Sequence, residues 1–251
     1  MSTNNTLEHK PQKTEQPPLP TVPSSQKPFA AGMGYYKLFW FFMIGSFLGV
    51  IVELIYCLAT KHTVESRAGV IYGPFNPVYG FGAVLMALLL GRLANKRDIW
   101  IFFSAMLVGG LFEYVCSLWQ ELSLGTVSWE YSHTPFNLDG RTNLMFSFFW
   151  GILGLFWVKD LFPRISRLIE RIPKKIGIPL TWFFTVFMAI DMGISWMAVD
   201  RQVQRHHGIP PQNTIDIFLD QKYPDEYLKK IYPHMIFVNQ TTDLHNRCEN
   251  N

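Results

Sequence analysis

Five long apolar runs dominate the chain: Leu38–Ala59, Pro77–Gly91, Ile99–Trp119, Leu144–Leu161 and Ile178–Val199. A membrane-spanning helix needs about 20 predominantly apolar residues. One such run fits a buried helix of a soluble protein, but five in succession do not. The fold class expected is therefore all-α: a polytopic membrane protein with about five transmembrane helices. The first, third and fifth runs reach the required length comfortably, and the second and fourth are shorter.

Composition agrees. Apolar residues make up 49% of the 251 residues and charged residues only 16%, against about 25% charged in globular domains. The formal net charge is +3, and no Lys/Arg stripe is interleaved with aromatics, so nucleic acid is not an expected partner. The three cysteines, Cys57, Cys116 and Cys248, are odd in number and show no C-x-x-C spacing. Neither a disulfide framework nor a zinc site follows, and no cofactor or metal is expected.

Three regions are expected. Residues 1–33 are polar and Pro-rich, a composition too poor in apolar area to offset chain entropy, and read as a disordered cytoplasmic tail. Residues 34–199 form the transmembrane domain. Residues 200–251 read as a polar carboxy-terminal tail, broken by Pro210, Pro211, Pro224 and Pro233, with a turn or two of helix at Ile215–Leu219 and Glu226–Ile231. Ten Lys/Arg flank the spans on the amino-terminal side (Lys37, Arg92, Lys96, Arg97, Lys159, Arg164, Arg167, Arg171, Lys174, Lys175) and five on the other (Lys61, Arg67, Arg141, Arg201, Arg205). The positive-inside rule then predicts a multi-pass cell-membrane protein with a cytoplasmic amino terminus and an outside carboxy terminus. Arg164–Lys175 alternates basic residues with Ile165, Leu168, Ile169 and Ile172, the pattern of an amphipathic helix on an anionic inner leaflet.

A duplication runs through the domain. Gly49, Glu53 and Leu58 recur at one common offset as Gly109, Glu113 and Leu118, and Pro74-Phe75-Asn76 recurs as Pro135-Phe136-Asn137. Each unit, about 38–94 and 99–162, is a helix with an intramembrane Glu, an outer loop ending in Pro-Phe-Asn, and a second helix; a fifth helix, 178–199, follows. Two spans return the chain to its starting side, so the units are expected to be parallel repeats about an axis normal to the membrane. Gly45, Gly49, Glu53 and Cys57 share one helix face, whose small residues admit a close neighbour.

A carboxylate at the bilayer centre costs at least ~2.5–3.5 kcal/mol. Three occur in the spans, Glu53, Glu113 and Asp191, each six to eight residues from the outer end of its segment. A shared outward-facing cavity is one reading of their common depth. Protonation, or hydrogen bonding to helix neighbours such as Tyr56 or Ser195, is the other. Arg67 and Arg141 in the two outer loops are candidate partners if those loops fold back, and Asn76 and Asn137 complete the set of candidate substrate- or ion-binding residues. The loops Gly73–Gly80 and Trp129–Arg141 are rich in aromatics, Gly and Pro, fitting either lids and re-entrant segments or an interfacial aromatic belt.

Gly73-Pro-Phe-Asn-Pro-Val-Tyr-Gly-Phe-Gly82, Glu113-Tyr114, Trp129-Glu-Tyr-Ser132 and Pro135-Phe-Asn-Leu-Asp-Gly-Arg141 resemble the bacterial membrane proteins grouped as "Putative ABC-transporter type IV" permeases. The resemblance covers roughly Phe41 to Pro173. It implies an integral protein of the bacterial cell envelope with a transport role. The chain shows no Glu-Ala-Ala coupling loop and no Walker A sequence, so ATP hydrolysis would belong to a partner.

Three functions are weighed: a transport component whose site uses Glu53, Glu113 and Asp191; a non-catalytic membrane sensor or scaffold in which the acids fix helix packing; and an intramembrane hydrolase. The last is weakest, because no His lies in a span beside a Glu. No catalytic residue is assigned and no enzyme is expected. The partners considered are the lipid bilayer, a separate ATPase subunit and a second copy of the chain in a homo-oligomer.

Overall fold

The computed structural model describes residues 28–238. Its α-helices are α1 (Tyr35–Lys61), α2 (Pro77–Leu90), α3 (Asp98–Leu124), α4 (Leu144–Phe156), α5 (Phe162–Glu170), α6 (Lys174–His206), α7 (Thr214–Lys222) and α8 (Asp225–Ile231). Four two-residue strands, which the sequence did not announce, are β1 (Thr126–Val127), β2 (Asn137–Leu138), β3 (Thr142–Asn143) and β4 (Ile236–Phe237). They pair antiparallel as β1 with β4 and β2 with β3.

Four helices are long and apolar enough to cross a membrane: Tyr35–Thr60, Asp98–Leu124, Leu144–Glu170 and Lys174–His206. The fourth apolar run is longer than expected, because α4 continues through a π-turn, Trp157–Leu161, directly into α5. Pro163 accounts for the turn. It has no N–H for the Lys159 carbonyl four residues back, and the widened turn absorbs the mismatch without ending the helix. Pro173 does end it: the residue before a proline is pushed out of the helical region, and α6 starts afresh at Lys174 with Pro173 as its extended N-cap residue.

The second run stays short. Helix α2 with its following 3₁₀ turn covers Pro77–Leu93, roughly 25 Å of helix against a hydrocarbon thickness of about 30 Å. Its start is fixed by Asn76, whose side chain accepts from the Val78 amide, and by Pro77 in the first turn, an arrangement favoured at helix N-termini.

Helices α1 and α2 form one tight antiparallel pair and α3 and α4 another. A Cβ on Gly49 would sit 2.2 Å from the Tyr79 ring, and one on Gly109 would sit 2.4 Å from Trp150. One turn inward, Gly45 faces Ala83 and Gly154 faces Ala105. Helix α6 packs on α1 through Phe39, Phe42, Met43 and Met188.

At the inner end Phe41 and Ile101 are fully buried beside Trp157, Ile165 and Ile169. Within Arg164–Lys175 the Ile165 and Ile169 face is buried in the protein, while Leu168 is exposed. Lys37 pairs with Glu170 and Lys159 with Asp98 here. The disordered tail expected over 1–33 falls mostly outside the described residues. Its last part is packed: Phe29 and Ala30 are buried, with the Phe29 ring against Gly177.

The tail beyond Asp200 is also folded over its described part. Helices α7 and α8 occupy the two places expected, and Leu219, Tyr223 and Leu228 pack on Ile71 and Ala198. Arg201, 2% exposed, makes a two-pronged ion pair with Asp220 at 2.9 Å through each prong, and Arg205 reaches Asp220 and Asp225. Strand β4 docks on β1. The result is a cap over the carboxy-terminal ends of α1 and α3, tied to the loops that follow both helices.

Candidate functional site

The α1–α2 and α3–α4 loops both re-enter the helix bundle. The Asn76 amide donates to the Ser46 carbonyl at 3.0 Å. Ser46 lies about four turns inside the outer end of α1, roughly 22 Å down the helix. In the second loop the Thr142 hydroxyl meets Glu113, about three turns from the end of α3, roughly 16 Å down. Irregular backbone is tolerated at such depth where protein buries it, and Val70, Thr142 and Asn143 are buried. Asn143 accepts from the Phe146 amide and so caps α4.

The first turn of α2 and the second loop bring hydroxyls to two of the three acids. The Tyr79 phenol donates to Glu53 Oε1 at 2.5 Å. Tyr131 donates to Glu113 Oε1 at 3.0 Å and Thr142 to Glu113 Oε2 at 2.8 Å. The Tyr79 and Trp150 rings stack, centroids 6.2 Å apart. Tyr79, bonded to Glu53, thus stacks on Trp150, which covers Gly109 one turn before Glu113.

The loop arginines lie one helical turn outward of the glutamates. Arg67 donates to Cys57 Sγ at 2.7 Å, and Arg141 donates to Ser117 Oγ at 3.4 Å; Cys57 and Ser117 each follow a glutamate by one turn of helix. Arg141, 5% exposed, is ion-paired with Glu121 at 2.6 Å and lies over the Tyr114 ring. Arg67 lies 3.7 Å from Glu65, which His234 of the cap contacts at 2.7 Å. Both loops do fold back, but neither arginine bonds directly to Glu53 or Glu113.

Two sequence-predicted residues fall elsewhere. Asp191, 1% exposed, accepts from the Tyr72 amide at 3.1 Å and from Ser195 at 3.4 Å, while Ser195 also holds the Ile71 amide. Asp191 thus pins the first loop to α6 and shares no hydrogen-bond partner with the glutamates. Asn137 closes a turn, accepting from the Gly140 amide and donating to the Ser132 and Thr134 carbonyls. The residue that caps the helix after the second loop, as Asn76 does after the first, is Asn143 and not Asn137, because the β2–β3 hairpin intervenes.

Sequence reasoning missed Tyr79, Tyr131, Thr142 and Trp150. Their signal was present in the aromatic content of the loops, but each pairing joins a loop or helix to a different helix, and no local period encodes it. Among the described residues, no three His, Cys, Asp or Glu side chains group closely enough to hold a metal ion. Clefts open elsewhere, one in the cap between Gln202, His206, Glu226 and Lys229 and one along the start of α6.

No curated protein and no solved structure matches the chain. The sequence profile of the family described as "Putative ABC-transporter type IV" matches residues 40–196, a span that holds both re-entrant loops together with Glu53, Glu113 and Asp191, and the chain belongs to that family.

Proposed function

We propose that this protein is the membrane-embedded subunit of a transporter in the bacterial plasma membrane, with an outward-facing site built around Glu53 and Glu113. The observation that carries the reading is the set of hydroxyl contacts on two carboxyls of the spanning helices, Tyr79 at the start of α2 to Glu53, and Tyr131 with Thr142 of the second loop to Glu113. Irregular segments at membrane depth beside ionisable side chains are a recurrent way to build solute and ion sites. Acidic groups held by neutral hydroxyls suit a cation or a proton-coupled solute. Asp191 acts in this reading as the anchor of the first loop.

The site gains coherence if the two helix pairs are parallel repeats. The packing supports a correspondence whose offset differs between elements: α1 maps onto α3 with Gly49 on Gly109, 60 residues on, and α2 onto α4 with Tyr79 on Trp150, 71 residues on, so that α4 has one more turn than α2 between its cap and this contact. In that correspondence Gly49–Tyr79 matches Gly109–Trp150, and Gly45–Ala83 matches Ala105–Gly154. Cys57–Arg67 matches Ser117–Arg141. The stacked Tyr79 and Trp150 then meet across the axis, as equivalent residues beside an axis do. The basic end carrying Arg92, Lys96, Arg97 and Arg164–Lys175 faces the cytoplasm, and the cap lies outside.

Energy comes, in this proposal, from a separate ATPase subunit. Purification from native membranes with lipids tests it: a nucleotide-binding protein is expected at a fixed ratio. Recovery of the chain alone, with uptake that persists without ATP, would remove the ATPase-coupled reading.

One observation favours a sensor or scaffold instead. Both oxygens of Glu113 already accept hydroxyl protons, which a purely structural acid would also do. The Glu113→Gln variant separates the two readings.

A further inference from the structure

The basic end contains an arrangement that the carboxylate site does not explain. At the start of α6, Ile176, Pro179, Leu180 and Phe183 line an apolar groove with Lys175 at its rim. Ile176 and Phe183 are 58% and 64% exposed. Arg171 and Lys174, on the turn before, are exposed like Lys175. The ion pairs of this end engage Lys37, Lys159 and Arg164. Arg171, Lys174 and Lys175 have no acidic partner among the described residues. Pro179 adds a further feature: lacking an N–H, it leaves the Lys175 carbonyl without its helical donor.

We propose that this groove is a specific binding site for one anionic phospholipid. From Lys175 to Phe183 is just over two turns, roughly 12 Å along the helix, so cations meet the headgroup while the apolar floor lies beside the upper acyl chain. Burial of Ile165 and Ile169 in the protein turns the charges of this segment toward the leaflet surface. The free Lys175 carbonyl provides an acceptor for a headgroup hydroxyl. The acyl-depth floor argues for a lipid over an acidic protein surface, which would leave the floor uncovered. The inference needs only that the chain is membrane-embedded, and does not depend on the transport reading.

Each Lys or Arg near an anionic surface strengthens binding by about fivefold, so three together are worth on the order of a hundredfold. The test uses the full chain purified in mild detergent, with phosphatidylglycerol and phosphatidylcholine added in equal amounts and bound lipid counted by native mass spectrometry. The wild type is expected to retain one phosphatidylglycerol in preference to phosphatidylcholine. The triple variant Arg171→Gln/Lys174→Gln/Lys175→Gln should lose that lipid by about a hundredfold in affinity, whereas Arg92→Gln/Lys96→Gln/Arg97→Gln, with the same change in charge, should keep it. Equal retention by both variants, or equal loss from both, overturns the site. Where the triple variant does not assemble, Arg171→Gln and Lys175→Gln alone are each expected to weaken binding about fivefold, and no change in either overturns the proposal.

Discussion

Tyr79 and Trp150 stack on one another at a centroid separation of 6.2 Å, and each also covers a helix glycine, Gly49 and Gly109. Close approach within each helix pair and contact between the pairs are thus carried by the same two side chains. Small residues at such crossings let van der Waals packing substitute for the hydrophobic drive that lipid does not supply.

Gly49→Ala and Gly109→Ala should therefore destabilise. The new Cβ would lie 2.2 and 2.4 Å from aromatic rings, and overpacking of this kind costs about 1–3 kcal/mol. Gly193→Ala, where nothing lies within 4 Å, should be neutral or gain up to about 1 kcal/mol of helix propensity. Thermal unfolding in detergent distinguishes the three, and equal transitions for Gly49→Ala and Gly193→Ala would refute the packing assignment.

The cap should come loose in acid. Its two-pronged bond with Arg201 lowers the Asp220 pKa below the usual carboxylate value. A group depressed in the folded state contributes stability above its unfolded value, about 3.9, and that contribution fades as pH falls through the folded value. Hydrogen exchange in α7 and α8 should accelerate below pH ~4 while α1 stays protected. Asp220→Asn should produce the same loosening at neutral pH, because it strands the buried Arg201; breaking such a pair costs about 3–5 kcal/mol. Unchanged exchange in that variant would show that the ion pair does not hold the cap.

Orientation is open to a direct check. Single cysteines placed at Lys96 and Ser132, in a variant otherwise free of cysteine, should differ toward an impermeant thiol reagent on intact cells, with Ser132→Cys labelled and Lys96→Cys protected. The reverse pattern would invert the assignment.

Glu113 has two possible uses, and two substitutions tell them apart. Glu113→Gln keeps an acceptor for one of the Tyr131 and Thr142 hydroxyls and should fold; Glu113→Leu leaves both without an acceptor, a loss of about 1–3 kcal/mol for each stranded group. Where the carboxyl itself is used, the Gln variant folds normally and loses transport. Full activity in that variant would assign Glu113 to packing.

Much of this architecture was legible in the sequence. Four of the apolar runs became long helices, and the Gly45/Gly49 face does receive α2. The outer loops' Gly, Pro and aromatic content did mark segments that enter the bundle. The short reach of α2 was harder to see, because its start depends on a bond from Asn76 to Ser46, which lies on a different helix far back along the chain. The cap was harder still. Its anchors Leu219, Tyr223 and Leu228 are few and separated by charges, and the Arg201–Asp220 pair that fixes it follows no local spacing. In the site, the sequence match pairs Asn76 with Asn137, whereas the residue that caps the helix after the second loop is Asn143. The hairpin β2–β3 displaces the second loop's register, and a match of three residues cannot reveal an insertion.

The central claim is that Glu53 and Glu113 form one site through the aromatic side chains between them. Infrared titration of the Glu113 carboxyl, assigned by its disappearance in Glu113→Gln, tests this without knowledge of the substrate. Glu53→Gln and Tyr79→Phe are each expected to displace the Glu113 midpoint, by on the order of half a pH unit or roughly 0.7 kcal/mol. A Glu113 titration unchanged within error in both variants would contradict the claim, and the two glutamates would then belong to separate environments.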